Sequence, residues 1–115
     1  MVLSTTLYRP VGPEELALIE ASGWKAFPPR LPEQPIFYPV TNLSYARQIS
    51  QEWNVPAKGI GHVVRFQVNS DFLKRYEVQN VGGAIHDELW VPAEELDAFN
   101  AHIVGVIELI ETHRG

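Results

Sequence analysis

Apolar positions along the chain switch between a period of two and a helical period, and the switches mark the elements. Thr5–Arg9 reads as a first strand, closed by Pro10. A helix follows, with Pro13 in its first turn, Glu14 and Glu15 at its positive end and Gly23 as its stop. Pro28, Pro29, Pro32 and Pro35 make Phe27–Pro35 a rigid surface loop, because proline fixes φ and removes a donor. Ile36–Val40 is a short strand. Leu43, Ala46, Ile49 and Trp53 then recur at helical spacing, which predicts a second helix over Asn42–Trp53 with Thr41 or Asn42 as N-cap.

The second half is richer in strands. Asn54–Gly61 reads as a loop. His62, Val64, Phe66 and Val68 alternate with Val63, Arg65 and Gln67, the mark of a strand. Asn69 or Ser70 caps one helical turn through Leu73. A strand over Tyr76–Val81 ends at Gly82-Gly83, and another runs over His86–Val91. Pro92 opens a short helix to about Asn100, with Glu94 and Glu95 in its first turn. Ile103–Ile110 is apolar on both faces, which predicts a central strand. The expected core holds Val64, Phe66, Leu89, Val91, Ile107 and Leu109.

The predicted order is β-α-β-α-β-β-β-α-β. Doubly wound sheets alternate strand and helix throughout. This chain does not, so it reads as α+β, with largely antiparallel sheets and flanking helices. Its 115 residues suit one domain. A 45% hydrophobic, 20% charged composition argues against disorder. The net charge of −5 speaks against broad binding to nucleic acid but allows a local basic pocket. The absence of cysteine excludes disulfide scaffolds, thiolate zinc sites and Cys nucleophiles, and it fits a reducing, cytoplasmic location. No apolar run approaches the ~20 residues of a membrane span, so no membrane partner is expected. Met-Val-Leu-Ser-Thr-Thr lacks the features of a signal peptide.

Candidate chemistry is sparse. In the strand His86–Val91, Leu89 and Val91 point one way, and His86, Glu88 and Trp90 point the other. A carboxylate on a sheet beside an indole is costly unless it is exposed or used; the alternative is an edge strand with a solvated polar face. Arg9 ends the first strand and offers a planar fork for phosphate or carboxylate, unless it is a plain surface charge. Phe37 and Tyr38 face opposite sides, so that one packs inside and the other is free to stack on a planar ligand; Tyr45 is the alternative stacking residue. His62, His86, His102 and His113 lack metal-ligand spacing, so no metal is expected. Gly59-Ile60-Gly61 is too short for a phosphate loop, and no serine lies in a nucleophile elbow.

Four segments carry a family resemblance. They are Leu7-Tyr8-Arg9-Pro10-Val11-Gly12-Pro13-Glu14-Glu15-Leu16, Phe27-Pro28-Pro29-Arg30, Pro35-Ile36-Phe37-Tyr38-Pro39-Val40, and Glu88-Leu89-Trp90-Val91-Pro92-Ala93-Glu94-Glu95-Leu96, the last continued by Phe99-Asn100 and His102-Ile103-Val104-Gly105. Together they resemble small bacterial proteins labelled "ADP-ribosylation/crystallin J-type", over Leu7 to Ile110. Crystallin J-type relatives are large helical ADP-ribosyl hydrolases, and this chain is too short and strand-rich for that fold. Its order of features is more similar to the ADP-ribosyltransferase fold. Those enzymes place an Arg or His on an early strand, a Ser, Thr or Tyr on a second strand leading into a helix, and a Glu on a late strand. Arg9, Tyr38 and Glu88 match these positions. Two departures stand out: Pro10 follows Arg9, and His86-Asp87-Glu88 replaces the acidic pattern of arginine-modifying members.

The resemblance implies a single ADP-ribosyltransferase-like domain over residues 1–115 that cleaves the nicotinamide–ribose bond of NAD, its substrate. It implies Glu88, Arg9 and Tyr38 as catalytic residues and Arg9, Tyr38, Tyr45 and His86 as the NAD or nucleotide contacts, with a protein as acceptor. The alternative is a catalytically inactive module on the same fold that binds a protein or nucleotide, with the Pro-rich loop and an exposed Trp24 or Trp53 as contact surface. An RNA phosphotransferase-like activity is disfavoured by the net charge.

Overall fold

The computed structural model describes residues 3–115. Its centre is β3 (Ile60–Asn69), which pairs antiparallel with β1 (Ser4–Val11) on one side and β7 (Ile103–Arg114) on the other. The central strand is therefore β3. The strand expected at the centre, Ile103–Ile110, belongs to the edge strand β7. An edge strand has no outer neighbour to cover its side chains, so Val104, Val106 and Leu109 stay exposed while Ile107 is buried. Leu109, expected in the core, is 42% exposed. Register shifts between Val63/Val64 and Arg65/Gln67, with Gly105 in β7 at φ +78°, break the simple alternation on which that expectation rested.

The sheet continues on the far side of β1 through a single residue. Tyr8 and Val40 exchange backbone hydrogen bonds of 3.0 and 2.8 Å, and Val40 also bridges to Glu88. This joins β5 (Asp87–Leu89), which pairs antiparallel with β4 (Val78–Asn80). A separate two-stranded pair forms from β2 (Ile36–Phe37) and β6 (Val91–Pro92). The strand expected over Ile36–Val40 is thus two pieces, because Pro39 has no amide to donate to a ladder. The strand expected over His86–Val91 also divides, at Trp90, where the chain leaves one sheet for the other.

Two apolar layers cover the sheet. On one face Leu7, Val11, Val64, Phe66 and Val68 meet Phe27, Phe37, Leu89, Val91 and Phe99. On the other, Val63 and Val40 pack against Tyr45 and Ala46 of α2 (Leu43–Ile49), with Tyr8 and Ile49 at the margin. Burial of Val63 and Val64 together is the mark of a strand covered on both faces. The remaining elements are α1 (Pro13–Ala21), the one-turn α4 (Ser70–Leu73) and α5 (Leu96–Ala101), which a tight turn over Ala93–Glu95 precedes.

The helix after Val40 begins where Asn42 caps it, accepting from the Tyr45 amide at 2.8 Å. It does not stop at Trp53. A wide turn over Ser50–Asn54 leads into α3 (Val55–Lys58), so most of the loop expected over Asn54–Gly61 is helical. The Val55 amide reaches back five residues to the Ser50 carbonyl, and Pro56, which has no amide to donate, follows in the first turn of α3. Gly59, at φ +78°, ends the helix. Trp24 is partly buried against the larger core and so is not the exposed surface residue expected; Trp53 is 71% exposed. Among the described residues, no helix is long and apolar enough to cross a membrane.

Candidate functional site

Glu88 lies on β5 with its side chain toward α2, and it is buried rather than solvated. Period two requires this once Leu89 points into the larger core. Both carboxylate oxygens have donors. The Tyr45 hydroxyl donates to Oε2 at 2.9 Å and the Trp90 indole N–H donates to Oε1 at 2.7 Å. Neutral donors fix a carboxylate without cancelling its charge. Burial, then the hydrogen bond to Glu88, pushes the Tyr45 phenol up to about 12, so it remains a donor at neutral pH. A cavity of about 460 Å³ opens here, lined by Tyr38, Tyr45, Ile49, Trp53, Val81 and Glu88 among others.

Arg9 lies on β1 on the opposite face of the sheet, in line with Leu7 and Val11, and is buried. Its Nε and Nη2 donate to the two carboxylate oxygens of Glu15 at 2.7 and 2.9 Å. The fork that the resemblance reserves for a phosphate or ribose therefore holds a residue of α1. The Arg9 guanidinium also sits 4.6 Å from the Phe37 ring centre and 5.9 Å from that of Tyr38. A smaller cavity of about 200 Å³ lies alongside, walled by Arg9, Glu15, Arg30, Gln34 and Tyr38.

Tyr38 connects the two. Phe37 turns fully inward and Tyr38 stays 43% exposed, as their alternation requires. Tyr38, Ile49 and Asn54 line both cavities, so the Glu88 side and the Arg9 side adjoin around one aromatic ring. Tyr38 itself lies just beyond β2 rather than within a strand.

Tyr45 is the positioner of Glu88 more than a free stacking face, being largely buried with its ring 4.7 Å from that of His86. His86 stands behind it, bonded through Nε2 to Gln48 at 2.9 Å, and lines neither cavity. Gly83 is required beside it. A Cβ there would come within 2.6 Å of the His86 ring. The structure adds Arg30, Asn54 and Trp90, which sequence reasoning gave no site role. Nothing in a lone arginine of a proline-rich loop signals a buried side chain. Trp90 was legible only as a neighbour of Glu88 on the same strand face.

A second cluster has the bonding order of a hydrolytic triad. His113 contacts Ser50 Oγ at 2.8 Å through Nδ1 and Glu111 at 3.0 Å through Nε2. Ser50 is fully buried, and a nucleophile must reach its substrate. Arg47 also pairs with Glu111, and this hydrogen bonding holds the Glu111 carboxyl below the usual carboxylate range. The cluster ties the wide helical turn to the end of β7.

Compared with protein-family models, with curated proteins and with solved structures, the chain matches none.

Proposed function

We propose that the protein is an ADP-ribosyltransferase-like enzyme that binds NAD across Tyr38 and cleaves its nicotinamide–ribose bond. The observation that carries this reading is the shared wall: a fixed buried carboxylate opens on one side of Tyr38 and a basic cavity on the other. A dinucleotide needs those two environments, one for the ribose at the reacting bond and one for the phosphates.

In this reading the bond from ribose C1′ to the nicotinamide nitrogen breaks, and its electron pair leaves with nicotinamide. Positive charge develops on the ribose, as in glycoside hydrolysis. Glu88, held by Tyr45 and Trp90, presents its negative charge to that centre without reorganising. A hydroxyl, from water or a protein acceptor, then adds at C1′, and its proton passes to solvent water. Tyr38 offers the exposed ring for stacking on nicotinamide.

The test is calorimetric titration with NAD alongside an assay of nicotinamide release. Binding with release supports the enzyme. No binding at millimolar NAD removes it. One observation favours a second reading, a binding module without turnover: Glu15 already fills the Arg9 fork. NAD or ADP-ribose binding without nicotinamide release would select that reading.

A further inference from the structure

The basic cavity contains two arginines in unequal states. Arg9 spends two donors on Glu15. Arg30 is buried to a side-chain exposure of 10%, yet it makes no hydrogen bond to any described residue. Its nearest opposite charge is Glu15 Oε1 at 3.8 Å, an oxygen already engaged by Arg9. Its Nε is sealed from solvent with no partner among the described residues. Burial, and then the positive charge of Arg9, pushes the Arg30 pKa down, against the opposing pull of Glu15. Two arginines against one glutamate leave the wall with one positive charge to spare, in a protein whose net charge is −5.

A buried charged group without hydrogen bonds is expensive, and a ligand that supplies them gains what the free protein lacks. Gln34 sits in the same wall. Its side-chain carbonyl accepts from the Leu31 amide at 3.2 Å, which leaves the NH₂ group as a further donor. Guanidinium and amide donors around a small polar cavity suit a phosphoryl group, whose oxygens accept from both at once.

We propose that this cavity is a phosphate site in which Arg30, with Gln34, receives the anion, and Arg9 serves as the ion-paired wall that keeps Arg30 uncompensated. The inference rests on the dinucleotide reading for the identity of the phosphate carrier. The anion site itself rests on Arg30.

The experiment is an NMR titration of ¹⁵N-labelled protein with inorganic pyrophosphate, and separately with NAD. It uses the wild type, Arg30→Gln, Arg30→Lys and the control Arg65→Gln, which removes an exposed positive charge elsewhere on β3. Pyrophosphate should bind wild type and Arg65→Gln alike, and Arg30→Gln about tenfold more weakly or worse. Arg30→Lys, which keeps the charge without the fork, should fall between. Ligand-free Arg30→Gln should melt close to wild type, since it loses a buried Nε without a hydrogen bond along with a long 3.8 Å contact to Glu15 and a 5.8 Å approach to the Phe37 ring. Equal pyrophosphate affinity in wild type and Arg30→Gln overturns the site, as does equal displacement by acetate, which marks a general anion surface. Should Arg30→Gln fail to fold, affinity in Arg30→Lys equal to wild type overturns it. The two proposals fail separately. Arg30-dependent pyrophosphate binding without NAD binding removes the dinucleotide reading and keeps the anion site. NAD binding that is unchanged in Arg30→Gln does the reverse.

Discussion

The Tyr45 hydroxyl donates to Glu88 Oε2 at 2.9 Å, across 43 positions of sequence, and so couples the helix after Val40 to the strand that carries the candidate catalytic carboxylate. Tyr45→Phe keeps the ring and its packing on His86 but removes that donor. A buried carboxylate oxygen then loses its partner, a change of about 1.5–3 kcal/mol in stability. If the bond also aims Glu88, kcat for nicotinamide release should fall about tenfold with KM for NAD nearly unchanged, since about 1.4 kcal/mol lost only in the transition state is tenfold in rate. A loss of stability with kcat unaltered would make the bond purely structural.

Glu88→Gln separates chemistry from binding. It conserves size and most hydrogen bonding and removes the charge. NAD affinity should change little while nicotinamide release falls ~10²-fold or more, the scale of one preorganised electrostatic group. Equal turnover in wild type and variant would eliminate Glu88 as the stabilising carboxylate.

The larger core depends on aromatic contact. Phe66 is 1% exposed, with its ring centre 4.8 Å from that of Phe27 and 6.2 Å from that of Phe99. Phe66→Ala should lower unfolding free energy by ~3–5 kcal/mol, read as a shift of the urea midpoint. A loss below ~1 kcal/mol would mean that the cavity collapses around the missing ring.

Acid should weaken the fold through His62. Burial, then the nearby positive charge of Arg114 and the neighbouring His113, hold its pKa below the ordinary value, while its Nδ1 contacts Thr112 Oγ1 at 2.9 Å. The folded state thus resists a proton that the unfolded chain accepts. The associated stability is complete above the unfolded pKa of about 6.5 and is lost as pH falls through the lower folded value. Urea midpoints should begin to decline as pH falls toward the unfolded pKa of about 6.5 and go on declining until the lower folded value is passed, and His62→Gln should flatten that decline. Glu111, held low by Arg47, contributes stability above the ordinary carboxylate pKa and loses it only in a more acid window than that of His62. An identical pH profile in His62→Gln would assign the decline to other groups.

Local pattern alone determined the α+β class and the inward turn of Phe66, Leu89 and Val91, and it narrowed the caps to Thr41 or Asn42 and to Asn69 or Ser70, between which the structure chose Asn42 and Asn69. These follow from periodicity and capping, which act over a few residues. The separation of Tyr38 from Phe37 was legible for the same reason. Other features depended on neighbours far along the chain. Which strand lies at the centre is decided by partners, so Ile103–Ile110 read as central although it lies at an edge. The helical continuation through Pro56 needed a wide turn that no residue pattern announces. Glu88 and Arg9 could be nominated from the sequence, but their states could not. The carboxylate became buried and fixed only when Tyr45 and Trp90 reached it. Arg9 was tied off by Glu15 at the turn from β1 into α1, and Arg30 was left with a buried Nε that no described residue hydrogen-bonds. Side-chain type sets what a group is able to bind, whereas burial and the competition among partners set what it still has free, and only the tertiary structure fixes those.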